Sequence, residues 1–318
     1  MTRMSSSPLF LAVIGFCLQA APANAQLSRT FVSAGIGNDA NDCSRAAPCR
    51  TFQAAHNKTN AEGEITVLDT GGYGGLVITK SISIVNDGVG EASILVSGGG
   101  TGIDIQAGPA SYINLRGIII QGIGFGGSTG LLFETGFALT MTNCVIRNHT
   151  GNGLQFSPRG DSRLAVSNTL LADNGAHGVQ ILPGNGGPVR AVFHRIATIN
   201  NSVNGLLVDG DVSSGTIRVL VTDSVSANNG LAGFSAGSFQ ADTFLVVVGS
   251  QSANNAVGFA ADGAQASVVL GRSTVAFVLA SSGGGVAWSS TNNGGVGSFG
   301  DNHIFGSGNA NLFPLAKK

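Results

Sequence analysis

The sequence predicts an all-β chain wound as a single-stranded right-handed parallel β-helix of about nine to ten coils, with a short N-terminal helical cap. Three observations predict it. A glycine followed by an apolar residue recurs as Gly75-Leu76, Gly102-Ile103, Gly130-Leu131, Gly153-Leu154, Gly178-Val179, Gly205-Leu206, Gly233-Phe234, Gly258-Phe259 and Gly285-Val286, with successive glycines 23 to 28 residues apart. A self-similar period of that size marks a solenoid. Two further columns keep register with these glycines over four units: Asn148, Asp173, Asn200 and Asn228, and the apolar Met141, Val166, Phe193 and Val221. The composition agrees, with 49 glycines and only 10% charged residues, against about a quarter in ordinary globular domains. Lys and Glu are scarce while Val, Ile, Thr, Ser and Asn are plentiful, which favours strands and turns. Leucine-rich repeats need a leucine-dominated consensus, and propeller blades need a longer period.

The chain opens on Arg3, an apolar run from Leu9 to Leu18 and then Ala23-Asn24-Ala25. That is the order of a secretory signal, with cleavage expected after Ala25. Cys17 follows the bulky Phe16 and belongs to the removed segment. No later stretch is long and apolar enough to cross a membrane, so a secreted or periplasmic location is expected. Without Arg3 the net charge is −2, from 15 cations and 17 anions, which gives no whole-surface attraction to nucleic acid.

Residues 26–62 lack the repeat and are expected to form a cap, because a stack of coils has an open apolar end. Arg29 to Ser33 alternates like an edge strand. Cys43 and Cys49 close a small loop, and in an oxidising compartment they are expected to form a disulfide. A metal pair is the weaker reading, since no histidine follows at finger-like spacing. Thr51 to Thr59 fits two helical turns with Phe52 and Ala55 on one face.

Residues 63–306 are the predicted helix of coils, each with two alternating strands and a polar return. Gly and Asn are expected at bends that need positive φ, and stacked Asn side chains can bond along the axis. Cys144 reads as a buried small hydrophobe. Residues 307–318, with Phe313-Pro314, read as the tail that covers the last coil.

The unit Asn148-His-Thr-Gly-Asn-Gly-Leu-Gln-Phe156 resembles the parallel β-helix repeat of the pectin-lyase-like superfamily. The segments Asp42-Cys-Ser-Arg-Ala-Ala-Pro-Cys-Arg-Thr-Phe52, Gly72-Tyr-Gly-Gly-Leu-Val-Ile-Thr-Lys-Ser-Ile82 and Gly300-Asp-Asn-His-Ile-Phe-Gly306 resemble a set of exported bacterial β-helix proteins without assigned activity. The resemblance covers nearly all of the mature chain. It implies the fold and leaves the activity open, since one fold hosts many chemistries. The superfamily's enzymes act mostly on acidic polysaccharides, its lyases with calcium and an arginine, its hydrolases with several aspartates.

Asp104 and Glu134, on adjacent coils, are the best carboxylate pair and weak catalytic candidates, but their columns differ and no third acid joins them. Calcium would need several converging oxygen ligands, and no clear cluster for it exists, so no cofactor or metal is expected. The histidines lack metal-ligand spacing. Asn57-Lys-Thr and Asn148-His-Thr match glycosylation sequons, read here as chance matches.

The more informative feature is a column of arginines. Counting back fifteen from Gly178, Gly205 and Gly233 gives Arg163, Arg190 and Arg218, which strand parity turns outward with His194 on the same face. Three like charges at coil spacing repel unless something anionic lies between them. Asp161, Asp209 and Asp211 in adjacent turns are the plain answer. An acidic polysaccharide gripped through its carboxylates or sulfates is the functional one. One Trp (Trp288) and two Tyr leave few stacking platforms for sugar. Three roles therefore stand: non-catalytic binding of acidic glycan as a secreted or envelope component, a polysaccharide lyase or glycoside hydrolase acting on uronate-containing glycans, or a purely structural rod.

Overall fold

The computed structural model describes residues 27–122, 126–276, 278 and 285–315. The predicted leader lies outside the described residues. The described residues form a right-handed parallel β-helix. Three parallel sheets of 12, 9 and 10 strands form its faces, and successive strands of the chain visit them in rotation. About eight full turns separate the first and last strands of the nine-stranded sheet, slightly fewer than the nine to ten coils expected, because the first and last units are incomplete. At about 4.8 Å per coil the stack is on the order of 40 Å long.

One coil shows the plan. Ser162–Ser167 lies in the twelve-stranded sheet with alternating burial. Asn168, at φ 48°, turns the chain into the three-residue strand Leu170–Ala172 of the ten-stranded sheet. Asp173, at φ 55°, turns it again towards Val179–Ile181 of the nine-stranded sheet. The expectation of two strands per unit is thus corrected to three. The third hides in the polar return because a three-residue strand sends one side chain inward and leaves no alternation to read.

Side chains at the same position of successive coils stack on one another in the interior. Met141, Val166, Phe193 and Val221 are all buried, as are Leu131, Leu154, Val179, Leu206 and Phe234 in the nine-stranded sheet. The Phe133 and Phe156 rings stack with centroids 4.5 Å apart, and Phe234 stacks on Phe259 at 5.5 Å. Each such side chain contributes roughly 1.5–3 kcal/mol by leaving water.

The bends carry their own ladders. Asn148, Asp173, Asn200 and Asn228 hold positive φ, but they are not the stacked column. The buried ladder is one residue on. Asn174 Nδ2 donates to Asn201 Oδ1 (2.9 Å), Asn201 Nδ2 to Asn229 Oδ1 (3.0 Å) and Asn229 Nδ2 to Asn255 Oδ1 (3.0 Å). Each Oδ1 also accepts the backbone N–H of the Asn one coil earlier, from Asn174 at 3.2 Å, Asn201 at 3.0 Å and Asn229 at 2.8 Å. Three of the repeating glycines, Gly153, Gly178 and Gly233, lie against the ladder asparagines, and the others lie against the next coil's backbone and buried side chains. None of Gly102, Gly130, Gly153, Gly178, Gly205, Gly233 and Gly258 has positive φ. A Cβ on Gly153 would come 2.7 Å from the Gly178 carbonyl and 2.8 Å from Asn174 Nδ2. These glycines are therefore required by close approach, which corrects the expectation that they serve the bends.

His149 takes the ladder position at its N-terminal end. It is fully buried, its backbone N–H donates to Asn174 Oδ1 (3.3 Å), and Nε2 lies 3.4 Å from the Ile120 carbonyl. That contact makes Nε2 the protonated nitrogen, and buried Nδ1 has no partner among the described residues. Burial lowers the His149 pKa below its ordinary value, with the Ile120 contact opposing.

The strand Leu27–Val32 pairs with Thr59–Val67, so the cap adds a strand to the twelve-stranded sheet before the repeats begin. The helix Phe52–Lys58 has Thr51 as its N-cap, whose hydroxyl accepts the Ala54 N–H, and it buries Phe52 and Ala55. Cys43 and Cys49 are disulfide-bonded, and Cys144 is buried and free just before the strand Val145–Arg147. Asp69 accepts from Ser33 Oγ (2.6 Å) and the Tyr73 hydroxyl (2.7 Å). Burial alone would raise its pKa, but these bonds with those from the Ala34 and Gly35 N–H groups hold it down at about 2. At the other end Phe313–Pro314 pairs with Gly297 and Ser298.

Candidate functional site

The outer face of the twelve-stranded sheet carries the arginine column. Arg163 pairs with Arg190, and Arg190 with Arg218, in strict register along Ser162–Ser167, Val189–His194 and Ile217–Thr222. Their neighbours Leu164, Ala191 and Val219 are buried while the arginines are exposed, because residues alternate across a strand. About 4.8 Å separates successive strands, so the Cα atoms of the three arginines occupy a line on the order of 10 Å.

Each arginine has a different neighbour. The Arg163 guanidinium lies 4.9 Å from the centre of the Phe137 ring, and Tyr112 meets that ring edge-on at 5.2 Å. Arg190 Nη1 pairs with Asp161 at 3.2 Å, both side chains about half exposed. The Arg218 guanidinium has no ion pair or hydrogen bond among the described residues. Asp209 and Asp211 do not neutralise the column. Asp209 accepts the Asp211 N–H, and Asp211 accepts the Phe239 N–H, each within the loops. His194 lies four residues along from Arg190, 3.0 Å from Thr222 Oγ1 and 3.5 Å from Asp223, and so faces outward at the far edge of the strand.

Sequence reasoning missed the apolar neighbours. Two residues along from the arginines, Ala165, Val192, Leu220 and Val246 form a second column in register. Phe244 continues the arginine column, paired with Arg218. Parity alone would have found Val192 and Leu220. Phe244 was hidden because the bend after Asn254 is one residue shorter, so counting back from Gly258 lands on Thr243.

Asp104 and Glu134 sit on the nine-stranded sheet, a different face. Asp104 pairs with Leu132, and the register shifts between Phe133 and Thr135, so Glu134 is the extra residue of a bulge. Gln106 Nε2 donates to Asp104 Oδ2 (2.7 Å), while buried Oδ1 has no partner among the described residues. Burial and then the Glu134 charge raise the Asp104 pKa. Arg159 pairs with Glu134 at 3.1 Å. Among the described residues no three His, Cys, Asp or Glu side chains are grouped as a metal would need.

The structure is similar to that of the pectate lyase Pel9A, with a TM-score of 0.56 and 19% identity over 92% of this chain and 82% of that one. It is equally similar to an alginate lyase from Paenibacillus sp. str. FPU-7, with a TM-score of 0.56 and 13% identity over 91% of this chain and 98% of that one. At these identities the likeness shows the fold. No protein-family model matches the chain, and no curated protein does.

Proposed function

We propose that this is an exported, non-catalytic β-helix protein that binds acidic polysaccharide along the outer face of its twelve-stranded sheet. The observation that carries the reading is the in-register column Arg163, Arg190 and Arg218, with Arg218 left without a protein partner. A column of like charges on an exposed sheet costs stability unless anions answer it, and one aspartate answers one of the three. Arginine presents a planar fork that fits carboxylate or sulfate. A ligand that repeats along a polymer matches a site that repeats along the rod. Tyr112, Phe137 and Phe244 add aromatic surface at either end of the arginine run, which the scarcity of Trp and Tyr had argued against. The Cys43–Cys49 disulfide supports export. The fold is that of two lyases whose names record pectate and alginate, both acidic polymers.

The reading is tested by retention of the mature protein on immobilised polygalacturonate and alginate. Retention that falls with salt is expected. Passage at low salt through both columns, and through a third of O-acetylated polygalacturonate, would overturn the reading.

A second reading has one observation in its favour. The buried, unpaired Asp104 Oδ1, with a pKa raised by burial and by Glu134, is how a general acid is prepared. Incubation with polyuronates, with and without calcium, should release neither unsaturated nor reducing ends if the protein only binds. Release that Asp104→Asn abolishes would establish the enzyme instead.

A further inference from the structure

We infer that the glycan recognised by the twelve-stranded face carries acyl substituents as well as acidic groups. This rests on the reading that the arginine column binds acidic polysaccharide, and it narrows the ligand. The face holds two lanes. The first runs Arg163, Arg190, Arg218 and then Phe244; the second, two residues along each strand, runs Ala165, Val192, Leu220 and Val246. Val192, Leu220 and Phe244 are 46%, 37% and 40% exposed, large values for apolar side chains. They are contiguous, and they join Arg190 and Arg218 in lining one open groove of about 580 Å³. Single exposed apolar residues are ordinary, but a contiguous set beside a free cation marks a binding surface.

The chemistry of the two lanes selects the ligand. A carboxylate over Arg190 and Arg218, with its sugar ring lying along the strand, would bring the far hydroxyls of that ring towards Val192 and Leu220, two residues or about 6–7 Å away. Bare ring hydroxyls there would lose water and find no hydrogen-bond partner, which disfavours an unsubstituted polyuronate. Acetyl esters on those hydroxyls present methyl groups to the apolar lane and bury them. Arg218, without a protein partner, stands where the apolar surface is widest, so one unit of such a polymer meets both features at once. A two-fold partner copy is disfavoured at the same surface, since it would bring a second set of identical guanidinium groups to it.

The experiment compares one polymer in two states: O-acetylated polygalacturonate, and the same sample after saponification, which keeps every carboxylate. Titration calorimetry on the mature protein should give tighter binding to the acetylated form, by about fourfold for each methyl group buried per site. Leu220→Ser, at an outward position, should bring the ratio of the two affinities close to one at an unchanged melting temperature, by weakening the acetylated form and giving bare hydroxyls a hydrogen-bond partner. Val192→Thr serves as a second variant should Leu220→Ser fold poorly. Equal affinity for both polymers would overturn the inference and leave the arginine reading standing. Binding of neither would overturn both. A dimer that Leu220→Ser dissociates would overturn the inference too, by assigning the apolar lane to self-association.

Discussion

Gly178 lies against the carboxamide of Asn201: a Cβ at Gly178 would stand 2.8 Å from Asn201 Nδ2 and 2.7 Å from the Gly205 carbonyl. At Gly153, Gly178 and Gly233 the glycine repeat and the buried ladder are therefore one device. Glycine lets the backbone close on the asparagine, and the asparagine ties its coil to the next.

Gly178→Ala should destabilise the protein by about 1–3 kcal/mol, the usual cost of overpacking, through a collision with backbone that cannot yield. Alanine at Gly160, with nothing within 4 Å of its Cβ, is the control and should be close to neutral. Denaturant unfolding of both variants checks this.

Asn201→Leu should cost more. It strips an acceptor from the backbone N–H and the Nδ2 of Asn174, both buried, at roughly 1–3 kcal/mol for each donor left unpaired. The exposed Asn200→Ala, one residue earlier, loses a 3.2 Å bond to Asp173 and a favoured left-handed residue, and should cost less. The order of the two midpoints in urea is the test.

Stability should fall as pH drops below about 6.5. Burial lowers the folded pKa of His149, and likewise those of His56 and His177. The unfolded chain then binds protons that the folded chain does not, so stability is lost from the unfolded histidine value of about 6.5 down to the folded values. His149→Asn continues the ladder with the residue found at 174, 201, 229 and 255, and should lessen the fall in melting temperature between pH 7 and 5, with His56 and His177 supplying the remainder. A second loss should begin below pH 4. Asp69, held at about 2 when folded, stabilises the protein above its unfolded value near 3.9 and ceases to do so as pH falls through 2.

Replacing Cys43 and Cys49 by serine should lower stability by about 2 kcal/mol, the entropic value of so short a loop, and should loosen the cap before the coils. Thermal melts with and without reductant, followed by hydrogen exchange of the cap strand Leu27–Val32, measure both effects.

Much of this was legible because coils preserve register. Met141, Val166, Phe193 and Val221 could be aligned by counting, and so could the three arginines, since no length change falls between those positions and their glycines. The ladder was misplaced by one residue because both members of each pair are Asn or Asp, as in Asn200-Asn201 and Asn228-Asn229. Composition cannot say which of two like residues turns the chain and which turns inward. The partners of the arginines were harder still. Phe137 and Asp161 lie in bends whose length varies between coils, so nothing in the count fixes where their side chains go.

On the function we propose, Arg163, Arg190 and Arg218 act together as one anion-binding line. Titration of acidic oligosaccharide into the native protein and into the triple variant Arg163→Ala/Arg190→Ala/Arg218→Ala tests it most directly, with melting temperatures recorded alongside. At least a tenfold loss of affinity, about 1.4 kcal/mol, is expected at an unchanged or slightly raised melting temperature. Undiminished affinity in a folded triple variant would contradict it.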